Sequence, residues 1–431
     1  MSLEQVVMKL LNVKESELQE VTAIEKTGED LDVKVKLKPR STACPLCGGN
    51  VKIHGYFLRK LTHSTFANRN CTLFFQQRRY RCDSCERTFH EPNPFINSSE
   101  SLTLETKANV LKDLKHPEAT YTSVARRYNL SVTKIMRLFD AHVSIPRKLL
   151  PDILSMDEHY FPESDYDSTY CCLLMDFRTG ELVDVLPDRR KTYLMKYFST
   201  IKKDSLDYAT KRSELDNVKY ISIDMYEPFR DIASIYFPKA LVCADSFHVV
   251  KHLTECFRSV RLHCRRKTED ENLQYLLTKF KFVLHHNVRL DNEPKYNKRF
   301  RRLLNYRNLR DMMFASFPEL QVAYELKEYY IRLNESCKLA EAPEAIDTAI
   351  RLFADSGIEE YEPFYEMLTN WRQEIINSFT LIDGVRINNG RMESKNRLLE
   401  KLLYNGNGFR NFTRTRNRIL YCLNRNDTYK L

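Results

Sequence analysis

Glycine, tryptophan and long apolar runs are scarce in this chain of 431 residues. With 10 glycines and one tryptophan it has few positions for flexible linkers, so a helix-rich architecture is expected. No apolar run approaches the ~18 residues that a membrane-spanning helix requires. The first residues lack a basic stretch followed by an apolar one, so no secretory signal is predicted. These absences favour a cytosolic protein with no membrane partner.

The composition is that of a globular protein with a basic surface. Hydrophobic residues make up 42% and charged residues 29%, which argues against an intrinsically disordered chain. Its 68 lysines and arginines exceed its 58 acidic residues, and a net charge of +10 suits a polyanionic partner. The length exceeds what one hydrophobic core supports, so several domains are expected. Residues 298–302 form a basic run that we interpret as a solvated helix face.

Four of the twelve cysteines form two Cys-x-x-Cys pairs. Each two-residue spacer lets both thiolates reach one ion, and four such sulfurs make a closed, structural Zn²⁺ site. The four cysteines are Cys44, Cys47, Cys82 and Cys85. Cys71 and His63 are alternative ligands, and four free thiols are the alternative to a metal site. Basic residues around the second pair suggest that this knuckle contacts DNA.

Residues 101–143 have a helical pattern, and a helix-turn-helix is predicted within them. Thr122 or Ser123 would cap its first helix, Asn129 suits the turn, and Ser131 would cap the second helix. Three side chains of the second helix would then face a major groove. They are Thr133, Lys134 and Arg137. The alternative is an ordinary helical hairpin.

Beyond about residue 150, the predicted elements follow the order β-β-β-α-β-α-β, which is that of a ribonuclease-H-like domain. Asp157 lies on the first of these strands, Asp224 at the end of the fourth and Asp245 at the end of the fifth. Carboxylates are the ligands that Mg²⁺ prefers, and a pair of such ions performs in-line phosphoryl transfer. The first and fourth strands are neighbours in that architecture, which favours Asp224 over Asp245 as the second acid, although the choice stays open. For any single acid, a cap or turn residue is the alternative.

A C-terminal segment, Asn388–Asn396, places Glu393 at the start of a predicted helix. One glutamate there means little, since helices favour acids in the first turn. Together with the two upstream aspartates, however, it would complete a three-acid site, and Asn396 shares its helix face. Three basic neighbours are placed to hold DNA phosphate. They are Arg391, Lys395 and Arg397.

Five blocks of the chain, spread from about Cys44 to Arg425, resemble the ISL3 family of bacterial insertion-sequence transposases. They are the cysteine knuckle with Tyr80–Phe89, Met156–Glu158, Ile223–Arg230, Asp245–Lys251, and Asn389–Asn396 with Gly408–Phe412. The resemblance implies a DDE-type catalytic triad that also binds the metal, formed by Asp157, Asp224 and Glu393. Asp245, His248, Asn396 and Arg391 would support it. Ser394 departs from the pattern, since a glycine is usual there.

The resemblance also implies partners and cofactors. A DDE transposase uses Mg²⁺ or Mn²⁺ at its catalytic site, and this chain would add a structural Zn²⁺. Its partners would be double-stranded DNA, both terminal inverted repeats and target DNA, bound by a homo-oligomer in the bacterial cytoplasm and on the nucleoid. One alternative is a DNA-binding regulator on an inactive catalytic fold. Another is a metal-dependent nuclease without strand transfer.

The expected fold is a multidomain α+β or α/β protein, with a ribonuclease-H-like core interrupted by an all-helical insertion. The predicted regions are a zinc-finger region (1–95), a helix-turn-helix region (96–145), the first part of the core (150–255), the helical insertion (256–380), and a catalytic helix with a basic tail (381–431). Trp371 is expected in the core of the insertion rather than stacked on a base.

Overall fold

The computed structural model describes residues 18–27, 30–39, 43–66, 69–97, 100–161, 165–166, 168–406 and 410–431. It forms two compact units, one comprising Met1–Pro146 with Arg397–Leu431 and the other Arg147–Asn396. The described residues contain fourteen strands and fifteen α-helices, so the predicted mixture of α and β structure is confirmed. Gly408 and Phe409, which belong to the predicted C-terminal block, lie outside them.

A five-stranded sheet forms the base of the first unit. Its strands are β1 (Leu18–Thr27), β2 (Asp30–Leu37), β3 (Val51–Phe66), β4 (Arg69–Cys82) and β5 (Thr88–His90). The order is β1-β2-β4-β3, with β5 paired to β4. Val33, Val35 and Leu37 alternate with more exposed residues and pack against Leu73 and Phe75 of β4. This alternation is the period-2 pattern of a strand that buries one of its faces.

Three helices follow the sheet: α1 (Leu104–Asp113), α2 (Tyr121–Arg127) and α3 (Val132–His142). Ser131 caps α3 as predicted, and Asn129 takes the left-handed backbone conformation, with φ 50°, in the turn before it. The predicted cap of α2 is wrong. Thr120 is the N-cap, because its hydroxyl accepts from the Ser123 amide while the Ser123 hydroxyl accepts from the Thr120 amide.

The sheet of the second unit also has five strands. They are β6 (Ile153–Tyr160), β7 (Tyr170–Asp176), β8 (Leu182–Leu186), β9 (Tyr220–Ile223) and β10 (Leu241–Ala244). The order is β10-β9-β6-β7-β8. β6, β7 and β8 form the predicted antiparallel meander, and β9 pairs in parallel with both β6 and β10. The first and fourth strands of this unit are therefore neighbours.

Helices α4 (Lys191–Asp204) and α5 (Glu227–Tyr236) occupy the crossovers, and α6 (Ser246–Lys267) follows β10. Phe198 of α4 and Phe229 of α5 are fully buried in one hydrophobic core with the β6 residues Leu154 and Met156. Burial of an aromatic side chain of this kind contributes about 1.5–3 kcal/mol. The apolar strands thus supply the rigid base from which the acidic residues project.

The segment between α6 and residue 380 is mainly helical, and it joins the same core. Its helices are α7 (Glu271–Lys279), α8 (Phe282–His285), α9 (Tyr306–Ser316), α10 (Pro318–Ser336), α11 (Ala342–Asp355), α12 (Glu362–Asn370) and α13 (Arg372–Asn377). Trp371 is buried there as expected, and the Arg230 guanidinium lies 4.0 Å from the centre of its ring.

This segment is not all-helical, contrary to prediction. A hairpin of β11 (Lys295–Asn297) and β12 (Arg302–Leu304) replaces the helix face assigned to residues 298–302. Asn297 Oδ1 accepts a hydrogen bond from the Arg299 amide at 3.0 Å, and Arg301 has φ 52°. An Asn side chain that bonds its own backbone two residues on favours a turn, so the basic run is a hairpin tip.

The chain ends with a second hairpin, β13 (Leu381–Ile382) and β14 (Val385–Arg386), then helices α14 (Gly390–Gly406) and α15 (Phe412–Leu423). In the first unit, Tyr421 Oη of α15 donates to the Leu111 carbonyl at 2.9 Å, and Arg418 Nη2 donates to the Ala119 carbonyl at 2.7 Å. These bonds attach α15 to the region of α1 and α2. None of the helices in the described part of the chain is both long and apolar enough to cross a membrane.

Candidate active site

Strand register brings three aspartates to one edge of the second unit's sheet. Met156 of β6 lies opposite Ile223 of β9, and Ile223 lies opposite Ala244 of β10. Each of these residues is followed by an aspartate. Because the three strands run in parallel, Asp157 within β6 lies side by side with Asp224 and Asp245, which directly follow the carboxyl ends of β9 and β10.

Asp157 is 3% exposed and is fixed by two hydrogen bonds. Its Oδ1 accepts from the amide of Glu158 at 2.8 Å, and its Oδ2 accepts from Asn396 Nδ2 at 2.8 Å. Burial raises the pKa of Asp157 to about 8, with a smaller contribution from the charge of Asp224, whereas the Asn396 bond lowers it. The carboxylate thus carries a charge that the protein compensates poorly.

Asp224 follows β9 and is also buried. Among the described residues, its Oδ1 has no hydrogen-bond partner. Burial raises the pKa of Asp224 to about 6, and the positive charge of Arg189 works in the opposite direction. A buried carboxylate oxygen with no donor is costly, and a cation would relieve that cost.

Asp245, in contrast, accepts hydrogen bonds from backbone amides. It is the N-cap of α6, its Oδ1 accepts from the amides of Phe247 at 3.3 Å and Asn389 at 3.1 Å, and its side chain is fully buried. Burial raises the pKa of its carboxyl, while the Asn389 bond lowers it. One oxygen of Asp245 is therefore committed to holding the chain just before α14.

The residues predicted to complete the site lie near one another, but the distances between their ligand atoms differ. Ligand atoms of Asp157, Asp224 and His248 lie within 4.8 Å of one another. His248 Nε2 is 3.8 Å from Asp245 Oδ2 and 4.0 Å from Glu393 Oε1. Glu393, in the first turn of α14, adds to the charge that raises the pKa of Asp157. His248, assigned only a supporting role from sequence, thus belongs to this group of possible metal ligands, whereas Glu393 does not.

The start of α14 is tied to the sheet by two side chains. Asn389 is fully buried, and its Nδ2 donates to the Met156 carbonyl at 3.4 Å. Arg391 Nη1 donates to the carbonyls of Phe177, at 2.9 Å, and Arg178. Arg391, predicted to hold phosphate, therefore holds the end of β7. The role of Asn389 was missed, and nothing in the sequence distinguishes it from Asn388.

A cavity of about 410 Å³ opens beside the acids. Six of the residues that line it are Glu158, Asp224, Tyr226, His248, Lys251 and Trp371. It therefore combines one of the clustered carboxylates with a cation and aromatic surface. The acid cluster fits a divalent ion by its donor set, since hard carboxylate oxygens predominate and Asp224 Oδ1 lacks a donor in the described structure.

The two cysteine pairs meet at the base of the β3–β4 hairpin, where Val51 lies opposite Cys82. All four Sγ atoms lie within 4.8 Å of one another; Cys44 Sγ is 3.8 Å from Cys85 Sγ and Cys47 Sγ is 3.5 Å from Cys82 Sγ. Zinc–sulfur bonds of about 2.3 Å place tetrahedral sulfurs about 3.8 Å apart, so the cluster fits Zn²⁺.

Neither of the alternative zinc ligands belongs to this group of four. His63 Nδ1 lies 3.0 Å from Thr103 Oγ1, and Cys71 is buried among the apolar residues of the sheet. Backbone amides support the cluster itself, because the N–H groups of Cys85 and Ser84 donate to Cys82 Sγ. These bonds, that of Cys85 first, lower the pKa of Cys82 to about 6.

The remaining predicted DNA-contacting residues are distributed over two helices. Thr133 and Arg137 are exposed on α3 and Lys134 is half-buried there. On α14, Arg397 is exposed and Lys395 is half-buried. Burial lowers the pKa of Lys395. Their contact with DNA stays a prediction.

Comparison with known proteins gives one match. A family model described as Transposase, that of the ISL3-type DDE transposases, matches residues 154–419, which is more than half of the chain. The matched span contains every residue of the candidate active site. None of the curated proteins matches the chain.

Proposed function

Since the chain belongs to the ISL3 family of transposases, we propose that it cleaves the ends of its own element and joins them to target DNA by DDE-type chemistry. The observation that carries this proposal is the strand register, which sets Asp157 and Asp224 next to each other on parallel strands. The strand order β10-β9-β6-β7-β8, with helices in the crossovers, supports a ribonuclease-H-like core for this unit.

Asp157 and Asp224 would hold the catalytic Mg²⁺ or Mn²⁺, with Glu393 and His248 as candidates for the remaining protein ligand. A divalent ion at these carboxylates would activate a water or a 3′-hydroxyl and stabilise the leaving oxygen. The chain's own part is orientation. Asn396 fixes the Asp157 carboxylate through its hydrogen bond of 2.8 Å. Asn389 holds the start of α14 against β6, which keeps Glu393 at the site.

Asp224 is preferred to Asp245 as the second acid for two reasons. Each acid has one oxygen without a hydrogen-bond partner among the described residues, Asp224 Oδ1 and Asp245 Oδ2, but the other oxygen of Asp245 already accepts two backbone hydrogen bonds. Asp224 also lines the cavity, and it belongs with Asp157 and His248 to a group of possible metal ligands that does not include Asp245. Asp245 would therefore position His248 and the Asn389 loop.

In the first unit, the cysteine cluster would hold Zn²⁺, and the exposed α3 residues Thr133 and Arg137 would contact terminal-repeat DNA. Ser131 and Asn129 set the start of α3 and the turn before it, as a helix-turn-helix requires. Thr120 and Ser123 do the same for α2. Assembly as a homo-oligomer on paired element ends completes the proposal.

The test uses duplexes copied from the DNA on either side of the gene, incubated with the full chain with and without Mg²⁺. A transposase produces Mg²⁺-dependent 3′-hydroxyl ends and, with target DNA present, joined products. A nuclease cleaves without joining, and an inactive DNA-binding regulator shifts the duplex in a gel without cleaving it. Asp157→Asn is the control, because a cleavage product that survives this change comes from a contaminating enzyme.

Two pairs of variants assign the ligands. If cleavage survives Asp224→Asn but is lost with Asp245→Asn because metal binding is weaker, then Asp245 and not Asp224 is the second metal ligand. Glu393→Gln and His248→Gln are compared in the same way, with Mn²⁺ affinity measured by electron paramagnetic resonance. The ligand is the residue whose change weakens Mn²⁺ binding as well as cleavage.

A further inference from the structure

Arg189, between β8 and α4, has an unusual setting for an arginine near a cluster of acids. Its guanidinium carbon lies 4.0 Å from the ring centre of Tyr170 and 4.6 Å from that of Tyr226. Its Nη1 forms an ion pair with Glu158 Oε2. Three contacts from separate parts of the sheet therefore orient one planar cation, and each ring contact contributes about 0.5–1 kcal/mol or more.

The position of Arg189 relates it to the candidate active site. Tyr226 and Glu158, two of its three partners, line the cavity together with Asp224. Its charge is also the largest influence that lowers the pKa of Asp224. The oriented cation therefore contacts two residues of the cavity wall and lies within electrostatic range of a candidate metal ligand.

A nucleic-acid strand that enters this cavity is repelled by the acidic side chains around it. The cavity wall carries Asp224, Glu158 and Glu255, and Asp157 and Glu393 lie close to Asp224 or His248. Two like charges 4 Å apart repel by about 4 kcal/mol at an effective dielectric constant of 20. A phosphodiester next to the reacting one therefore needs a cation of its own. Lys251 lines the cavity but is exposed, whereas Arg189 is held by its two tyrosines and Glu158.

We propose that Arg189 binds the non-bridging oxygens of a DNA phosphodiester beside the one that reacts. Glu158 occupies one N–H of the guanidinium in the free protein, and the planar group presents further donors for a phosphate. The phosphate takes the place of Glu158, or binds beside it, without reorientation of the stacked guanidinium. Arg189 is thus a substrate-positioning residue that discriminates for a charged backbone and not for base sequence. This inference rests on the proposed function.

The test measures binding without divalent ions, so that it does not depend on catalysis. Element-end duplexes carry one neutral methylphosphonate at each successive position around the cleaved bond. For the wild type, one or two positions should weaken binding about 10-fold, as expected for loss of a hydrogen-bonded charge contact. Arg189→Met, which keeps an unbranched stem between the rings, should weaken binding of normal DNA to the same extent. Binding by this variant should also be unaffected by a methylphosphonate at those positions.

Arg299→Met is the matched control. Arg299 has an ion pair with Glu271 at 2.9 Å and a ring contact with Tyr275 at 5.1 Å, but it lies on the β11–β12 hairpin. Its variant should retain the full methylphosphonate profile. Arg189→Lys, which retains the charge and loses the planar fork, should bind with an intermediate affinity.

A structural role for Arg189 predicts a different pattern. If Arg189→Met lowers the melting temperature and its binding responds to every methylphosphonate as the wild type does, the proposal is wrong. Glu158→Gln provides an independent check, because loss of the competing carboxylate should strengthen binding by a few-fold at the same positions. Failure of the proposed function would look different, since the wild type would then show no Mg²⁺-dependent cleavage while its metal-free binding still reports on Arg189.

Discussion

The cysteine cluster of the first unit and the acid cluster of the second both collect side chains of types that bind metal ions, but they are assembled in opposite ways. Each cysteine pair spans four residues of one turn, and a single hairpin, β3–β4, joins the two turns. The acids come from separate strands and are brought together by register. The first cluster depends on local structure, whereas the second exists only in the folded sheet.

Electrostatic compensation also differs between the clusters. Backbone amides donate to Cys82 Sγ and lower its pKa to about 6, which favours a thiolate at that one cysteine. The backbone bond of Gly49 lowers the pKa of Cys47, but side-chain hydrogen bonds with Cys82 and Cys85 outweigh it and raise that pKa to about 12. Around the acids, burial dominates and raises the pKa of Asp157 to about 8. Backbone donors therefore support part of the cysteine cluster, while the acid cluster keeps a cost of buried negative charge that a divalent cation would relieve.

The largest effect expected from this contrast is on catalysis. Asp224→Asn is nearly isosteric but removes the charge that would hold the ion, so cleavage of element-end DNA should fall at least about 1,000-fold, or about 4 kcal/mol of transition-state stabilisation. Metal-free binding to the same duplex should stay within about twofold. A variant that cleaves at a tenth of the wild-type rate would exclude Asp224 as a metal ligand.

The next largest effect concerns the cysteine cluster. Cys82→Ser should abolish stoichiometric zinc, measured by mass spectrometry, because structural zinc in small domains contributes about 10–16 kcal/mol of binding free energy. The sheet of the first unit should then melt at a lower temperature, and affinity for element ends should fall about 100-fold. Cys337→Ser, outside the cluster, is the control. One zinc ion per chain in Cys82→Ser would contradict the assignment.

A smaller effect is expected at the residue that orients the first acid. Asn396→Ala removes the bond to Asp157 Oδ2, and loss of such a supporting contact costs about 10- to 100-fold in activity. Because that bond lowers the pKa of Asp157, the acid limb of the pH–rate profile should also move to higher pH. Asn370→Ala is a control on an exposed asparagine of α12. An unchanged pH profile with a reduced rate would indicate a structural role only.

The smallest effect is on stability and has a defined sign. Burial raises the pKa of Asp157 from its ordinary value of 3.8 to about 8, so between these pH values the folded state binds one proton more than the unfolded state. Stability of the metal-free protein should therefore fall as pH rises from about 4 to about 8. Asp157→Asn should remove this loss and raise the melting temperature at pH 8 by about 2–4 °C for each kcal/mol recovered. Equal melting curves at pH 8 would refute this.

Much of the local structure is predictable from short-range pattern. Asn129 was identified as a turn residue and Ser131 as the cap of α3, because both depend on neighbours within a few residues. The same reasoning failed where two local solutions compete. Thr120 caps α2 in place of Thr122 or Ser123, and residues 298–302 turn at Asn297 instead of continuing a helix.

The residues of the candidate site also fall into two groups, those predictable from local sequence and those that depend on tertiary packing. Its acids were predicted one by one from their places near strand ends, and the cysteine cluster from its spacing. Two features could not be predicted from the sequence, because they depend on how α6 and α14 pack against the sheet. They are the proximity of His248 to Asp157 and Asp224, and the contacts of Arg391 with the end of β7. Arg189 carried no signal, and Asn389 carried only its place at the start of a block that resembles the family.

The sequence by itself determined the family, the two cysteine pairs and the run of strands and helices, because these depend on residue type and on spacing over a few positions. The tertiary structure alone decided which acids stand together and which side chains support them. The register of parallel strands aligns Asp157 with Asp224, although 66 residues separate them in the sequence. That alignment depends on burial of the whole sheet, which the residue pattern of a single segment does not determine.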